Sequence, residues 1–181
     1  GKNDTVYKSS PKVEAMSIAE MRASLPMIKK NTFNQETLTP KVSLRANPRN
    51  NMKNHSESIK LLDPNNIFEI NRLGLNDTFE AGKSLTFGVD YKFDLIENDT
   101  VNNIVSKDKI VLKDKFLELK LATVFRDRAE IKIPSSSTID KKNSGLFGSL
   151  NNQLFKNLEL GYDFITNNNY DSFESHALSS K

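Results

Sequence analysis

The sequence predicts an all-β fold, an antiparallel up-and-down meander of about seven strands. Two observations carry that prediction. Between residues 83 and 93, Leu85, Phe87, Val89, Tyr91 and Phe93 alternate without a break with Ser84, Thr86, Gly88, Asp90 and Lys92, and a period of two puts the two sets on opposite faces of a strand. Segments of the same kind recur along the chain, separated by stretches rich in Asn, Ser and Lys, residues that favour turns and loops.

Taken in order, residues 1–12 show no periodicity and read as a loop or frayed end. Ala19, Met21, Ala23 and Leu25 then alternate with Glu20, Arg22 and Ser24. Pro26, which lacks the N–H a ladder needs, stops this strand or puts it at an edge. After a turn near 30–35, Leu38, Val42, Leu44 and Ala46 alternate with Thr37, Thr39, Lys41, Ser43 and Arg45, with Pro40 on the apolar side. Residues 47–66 carry two prolines and many asparagines and read as a long loop, within which Asp63 caps one short helical turn that has Pro64 at its first position.

The strand 83–93 follows. A second polar insertion spans 94–115, in which KIVLK is a short strand extension. Leu117, Leu119, Leu121, Thr123 and Phe125 then share one strand face, opposite Glu118, Lys120, Ala122 and Val124. A third long loop, 126–143, is rich in Ser, Lys and Asp. A strand at 145–152, a turn at 153–157, a strand in which Leu158, Leu160, Tyr162 and Phe164 alternate with Glu159, Gly161 and Asp163, a turn at 167–169 and a strand at 170–178 complete the meander. Long loops near 47–82, 94–115 and 126–143 alternate with tighter connections near 30–35, 153–157 and 166–170. That is the asymmetry of an outer-membrane barrel, with 94–115 long where a short turn is expected.

Composition narrows the class. Only 36% of the 181 residues are hydrophobic and 27% are charged, which is polar for a compact globule but fits a barrel whose outer band is apolar and whose lumen and loops are polar. No run of about 18 apolar residues is present, so no transmembrane helix is predicted. GKNDTVYKSS has neither an initiator Met nor the apolar centre of a signal peptide, and HALSSK ends inside a starting strand, so the chain is expected to be a fragment. The net charge of +3 comes from interspersed residues and makes no case for nucleic acid. There is no cysteine, hence no disulfide or thiolate site.

Few residues point to chemistry. His55 and His176 lack a partner at metal-binding spacing. Ser135–Ser137 have neither an adjacent His nor a nucleophile elbow, and AGKS lacks the glycine spacing of a phosphate loop. No catalytic residue, metal or cofactor is expected. The notable cluster is Arg72, Asp77 and Glu80 around Gly74, Ala81 and Gly82, directly before the cleanest strand. Asp77 and Glu80 offer in principle an acid–base pair or a divalent-cation site. The reading adopted is structural, a charged turn whose carboxylates accept backbone N–H groups and pair with Arg72. It would hold the register of the strand, where a slip of one residue turns every apolar side chain to the wrong face.

The run NRLGLNDTFEAGKSLTFGVDY resembles a segment of the form N-R-x-S-G-x-D-R-x-E-G-G, followed by an alternating strand, in the outer-membrane lipopolysaccharide-assembly family, also called the organic-solvent-tolerance family. Asn71, Arg72, Asp77, Glu80 and Gly82 match it, whereas Leu75, Thr78 and Ala81 replace a glycine, an arginine and a glycine. RASLPMIKK with LTPKVSLRANP resembles the family's pair of a short R-x-x-x-P-L strand and an L-x-P strand. LATVFRDRAE with NSGLFGSLNNQL is similar to the next pair in members from marine proteobacteria. The three stretches stand in the family's order, and the resemblance covers about residues 13–181.

The resemblance implies that residues 1–181 are part of one larger transmembrane β-barrel domain in the cell outer membrane. It implies a non-enzymatic role in receiving lipopolysaccharide from the periplasm and inserting it into the outer leaflet. The implied partners are lipopolysaccharide, an outer-membrane lipoprotein that plugs the lumen, and a periplasmic bridge protein reached through an N-terminal domain absent here. The family often joins barrel to periplasmic domain by disulfides, to which this stretch contributes no cysteine.

Under this reading Leu85, Phe87, Val89 and Tyr91 face lipid, whereas Thr86, Gly88, Asp90, Glu118 and Lys120 face the lumen. Tyr91, Phe93, Phe116, Phe125, Tyr162 and Phe164 fall near strand ends, where interfacial girdles would need them. Periodicity alone does not say which face is covered. Another outer-membrane barrel, a porin or channel, and a secreted β-sandwich that binds glycans share the alternation.

Overall fold

The computed structural model describes residues 17–48, 60–75, 79–97, 111–155 and 157–181, with the backbone alone at 97 and 111–114. They form an all-β chain with one eight-stranded antiparallel sheet. The strands are β1 (Ala19–Ser24), β2 (Met27–Lys30), β3 (Asn34–Asn47), β4 (Gly82–Glu97), β5 (Val111–Arg126), β6 (Phe147–Phe155), β7 (Leu158–Thr166) and β8 (Phe173–Ser180). From β3 onward each strand pairs with the next in sequence, and β1 and β2 share the outer edge of β3. The sheet is open, with β1 and β2 at one edge and β8 at the other, so the described residues do not form a closed barrel. No helix among them is long and apolar enough to cross a membrane, which says nothing of strands.

Pro26 explains the split edge. It falls between β1 and β2, at the one place where the chain leaves the β3 ladder, and only Leu25 N–H still reaches the carbonyl of Pro40. β2, which MIKK did not announce through any alternation, is the eighth strand. Other boundaries also differ from the sequence reading. Gln153–Phe155 continue β6 instead of turning, because a register shift between Asn152 and Phe155 absorbs the irregularity. β8 begins at Phe173 because Tyr170 turns through a positive φ of 62°. β4 and β5 run past 93 and back to 111, so the insertion is shorter than 94–115. Its residues 98–110 lie outside the described residues, as do 1–16.

The pairing registers carry two continuous faces across the sheet. One row crosses Glu20, Arg45, Ser84 and Arg126, and the next adjoining set Ser43, Thr86 and Val124. The alternate rows cross Met21, Leu44, Leu85 and Phe125, then Val42, Phe87 and Thr123, and farther along Leu119, Leu150, Tyr162 and Leu178. Exposure divides the faces against the soluble-protein rule. Apart from Gly148, every buried residue among the described side chains of the strands lies on the polar face, and Leu44, Phe87, Phe125, Leu150, Leu160 and Leu178 on the apolar face are exposed.

The hydrophobic core therefore lies between the polar face and the chain's own connections. Leu62, Ile67, Leu73, Leu75 and Ala81 come from the β3–β4 connection, Ile133 and Ile139 from the β5–β6 connection, and Ala122, Val124, Phe147 and Ile165 from the strands. The described parts of both connections pack into this core, where the sequence reading had loops with one short helical turn. Asp63 Oδ1 accepts the N–H groups of Asn65 and Asn66 at 2.7 and 2.9 Å and starts a 3₁₀ turn at Asn66–Phe68. Ser135–Ser137 form a second 3₁₀ turn, in which the Ser137 hydroxyl donates to the Pro134 carbonyl at 2.6 Å.

The turn after Thr166 belongs with these long connections and not with the tight turns of the opposite end. Asn168 Nδ2 donates at 2.6 Å to the carbonyls of Thr138 and Asn143, and the Tyr170 hydroxyl donates to Ser144 at 3.0 Å. Phe116 is likewise displaced from its expected girdle. It lies on the polar parity of β5, with Lys92 Nζ 5.5 Å from its ring centroid.

Candidate functional site

The densest polar chemistry lies where β3, β4 and β5 meet the connection leading into β4. Arg45 and Arg126 flank Ser84 in register on the polar face. Glu80, two residues before β4, reaches between them. Arg72 comes over from the same connection, with Nε 2.7 Å from Glu80 Oε2 and Nη2 2.5 Å from Oε1, a fork-on-fork pair. Its remaining donors go down to the wall, Nη1 to Thr86 Oγ1 at 3.1 Å and Nη2 to Ser84 Oγ at 3.2 Å. Arg126 Nη1 also donates to Glu80 Oε1, its Nη2 donates to the Ala81 carbonyl at 2.6 Å, and Arg45 Nη1 stands 3.5 Å from Oε2.

One carboxylate thus holds three guanidinium groups, each nearly inaccessible: Arg72 is 1%, Arg45 2% and Arg126 6% exposed. Glu20 on β1 supplies a second anion, 3.3 Å from Arg45 Nη2. Arg45 Nη2 also donates to the Glu69 carbonyl, whereas Arg45 Nε is one of two buried side-chain atoms without a partner among the described residues, the other being Asp140 Oδ1. Burial alone would push the Glu80 carboxyl up. The charge and hydrogen bonds of Arg72, followed by the charges of Arg126 and Arg45, outweigh it and hold the carboxyl at about 2. Burial raises Asp140, in the β5–β6 connection, above its ordinary value.

Three of the four turn-motif residues sit here. Arg72 and Glu80 form the pair, and Gly82 opens β4 at a φ of +87°, with Arg126 and Asp127 so near that a Cβ would come within 3.0 Å of Asp127 Oδ1. Asp77 lies outside the described residues. The pairing reaches well beyond a turn closing on itself, since Glu80 bonds two neighbouring strands. Arg45 and Arg126 were not singled out from the sequence. Their one local signal is that each stands on the polar parity at the same end of its strand.

The expected lumen-facing set lies on the polar face as a group, but in two environments. Thr86 is 2% exposed beneath Arg72, and Gly88 lies against the Phe68 ring. Asp90, Glu118 and Lys120 are half-buried and ion-paired, Asp90 with Lys41 and Glu118 with Lys120 at 3.2 Å, while Lys120 Nζ also donates to Asn65 Oδ1 at 2.9 Å. Among the described residues no group of His, Asp and Glu is arranged to hold a metal ion. No protein-family model matches the chain, and no curated protein or solved structure does either.

Proposed function

We propose that this chain is a stretch of the wall of a transmembrane β-barrel, with its apolar face toward lipid and its polar face toward the lumen. The observation that carries this reading is the division of exposure between the faces. A sheet whose Leu and Phe residues are bare while its Ser, Thr and Arg residues are packed suits an apolar surrounding and is costly in water. The two open edges fit a segment that continues into further strands. Together with the family resemblance around Arg72, Glu80 and Gly82, this supports a part in the outer-membrane translocon that inserts lipopolysaccharide into the outer leaflet. That role is non-enzymatic, with a lumen-plugging lipoprotein and a periplasmic bridge as partners. Depleting the full-length protein should lower surface lipopolysaccharide, and the protein should be extracted from outer membranes as a heat-modifiable species. Recovery from the soluble periplasm would end the barrel reading. A heat-modifiable protein whose loss leaves surface lipopolysaccharide unchanged would leave a porin or channel instead.

A further inference from the structure

The described part of the β3–β4 connection, residues 60–75 and 79–81, lies across the polar face and packs its apolar side chains there. We propose that this stretch is a built-in cover that closes the adjoining lumen to small hydrophilic solutes. The inference rests on reading the polar face as a lumen lining. The cover is fastened at the strand end by Glu80 and Arg72 on Arg45, Arg126, Ser84 and Thr86, and farther along by Asn65 on Lys120. Lys120 is in register with Asp90, so the fastenings span residues 84 to 90 of β4, about 20 Å along the strand.

Between the fastenings, Ile67 and Leu73 share one buried cluster with Val124 and Phe147, and none of the four is more than 1% accessible. A dry apolar layer opposes the passage of ions and sugars because it offers nothing to replace their water. Phe68 is the seating contact. Its ring lies over Gly88 so closely that a Cβ there would come within 2.7 Å of Phe68 Cζ and 3.0 Å of the Leu121 carbonyl. Lys41 Nζ stands 5.7 Å from the centroid of the same ring. A glycine in mid-strand weakens a strand, and here the missing side chain is the space the cover occupies.

The test is the conductance of the full-length protein, with any subunit that co-purifies, in planar lipid bilayers. The native protein should be nearly silent. Gly88→Val, which unseats the ring, and Phe68→Ala, which removes it, should each raise the open time about tenfold or more, with heat-modifiable protein still recovered. Steady conductance by the native protein would overturn the cover. So would membrane-embedded Gly88→Val and Phe68→Ala proteins as silent as the native one. A protein that never enters the bilayer would overturn the lumen reading and the cover with it, whereas an embedded protein with unchanged conductance overturns the cover alone.

Discussion

Thr86 and Phe87 are neighbours in β4 with opposite fates. Thr86 lies under Arg72 at 2% exposure, and Phe87 is 45% exposed, touching Phe125 edge-on with ring centroids 6.0 Å apart. What holds for the pair holds for the two faces of the sheet. Where β3, β4 and β5 meet the connections, the polar face is packed and hydrogen-bonded, and among the described residues no connection lies over the apolar face. Polarity therefore does not decide what is buried here. The described connections cover the face they can bond to, and an apolar surrounding for the other face is what the proposed barrel wall would supply.

The largest effect should come from removing the carboxylate on which the packed face depends. Glu80→Ala leaves Arg72, Arg45 and Arg126 crowded together without their common anion in a site closed to water. Breaking a buried ion pair by deleting one partner costs about 3–5 kcal/mol, and the yield of folded, heat-modifiable protein should fall accordingly. Glu80→Gln keeps the shape and one accepting oxygen, although its NH2 turns a donor toward the arginine donors, and the yield should fall less. A Glu80→Ala protein as resistant to urea as the native one would show that the cluster does not hold the connection to the wall.

The bare face offers the contrasting test. If the proposed wall sets Phe87 near the bilayer midplane, arginine there should cost about 2–4 kcal/mol, and the cost should shrink in a detergent that lets the side chain reach water. Lumen position alone would make arginine at Thr86 mild. The structure corrects that expectation, since Thr86 is closed in beneath the Arg72 guanidinium and a second one has no room or counter-ion there. Measuring urea midpoints of Phe87→Arg and Thr86→Arg in both media separates the faces: only the former should recover in detergent.

How much of this was legible follows from the range over which each signal acts. The alternation over residues 83–93 lies within one strand, and β4 extends it by one residue at its start and four at its end. Arg72, Glu80 and Gly82 are close in sequence and were read as a unit. The hub they join was not, because Arg45, Ser84 and Arg126 share a row only through two strand-pairing registers that no local window contains. Leu62, Ile67, Ile133 and Ile139 were hidden for another reason. Each stands in a stretch dominated by turn-forming residues, and a core built from connections has no period to detect.

The final prediction separates the packed face from the bare one by titration. Glu80 has an ordinary carboxyl pKa of 4.5 in the unfolded chain and about 2 in the folded one, so the unfolded state binds the proton first as pH falls. Its contribution is fully present above about 4.5 and is lost progressively as pH drops through that value toward 2. With part of the shift shared among three coupled arginines, about 1–3 kcal/mol should disappear across this window. Other carboxylates titrate in the same range, so the quantity to measure is the difference in urea midpoint between native protein and Glu80→Gln, followed from neutral pH to about pH 2. The native advantage should be constant down to about pH 5 and then shrink. An advantage that stays flat to pH 2 would mean that Glu80 is not held as a carboxylate by its arginines, and the cover would lose its upper fastening.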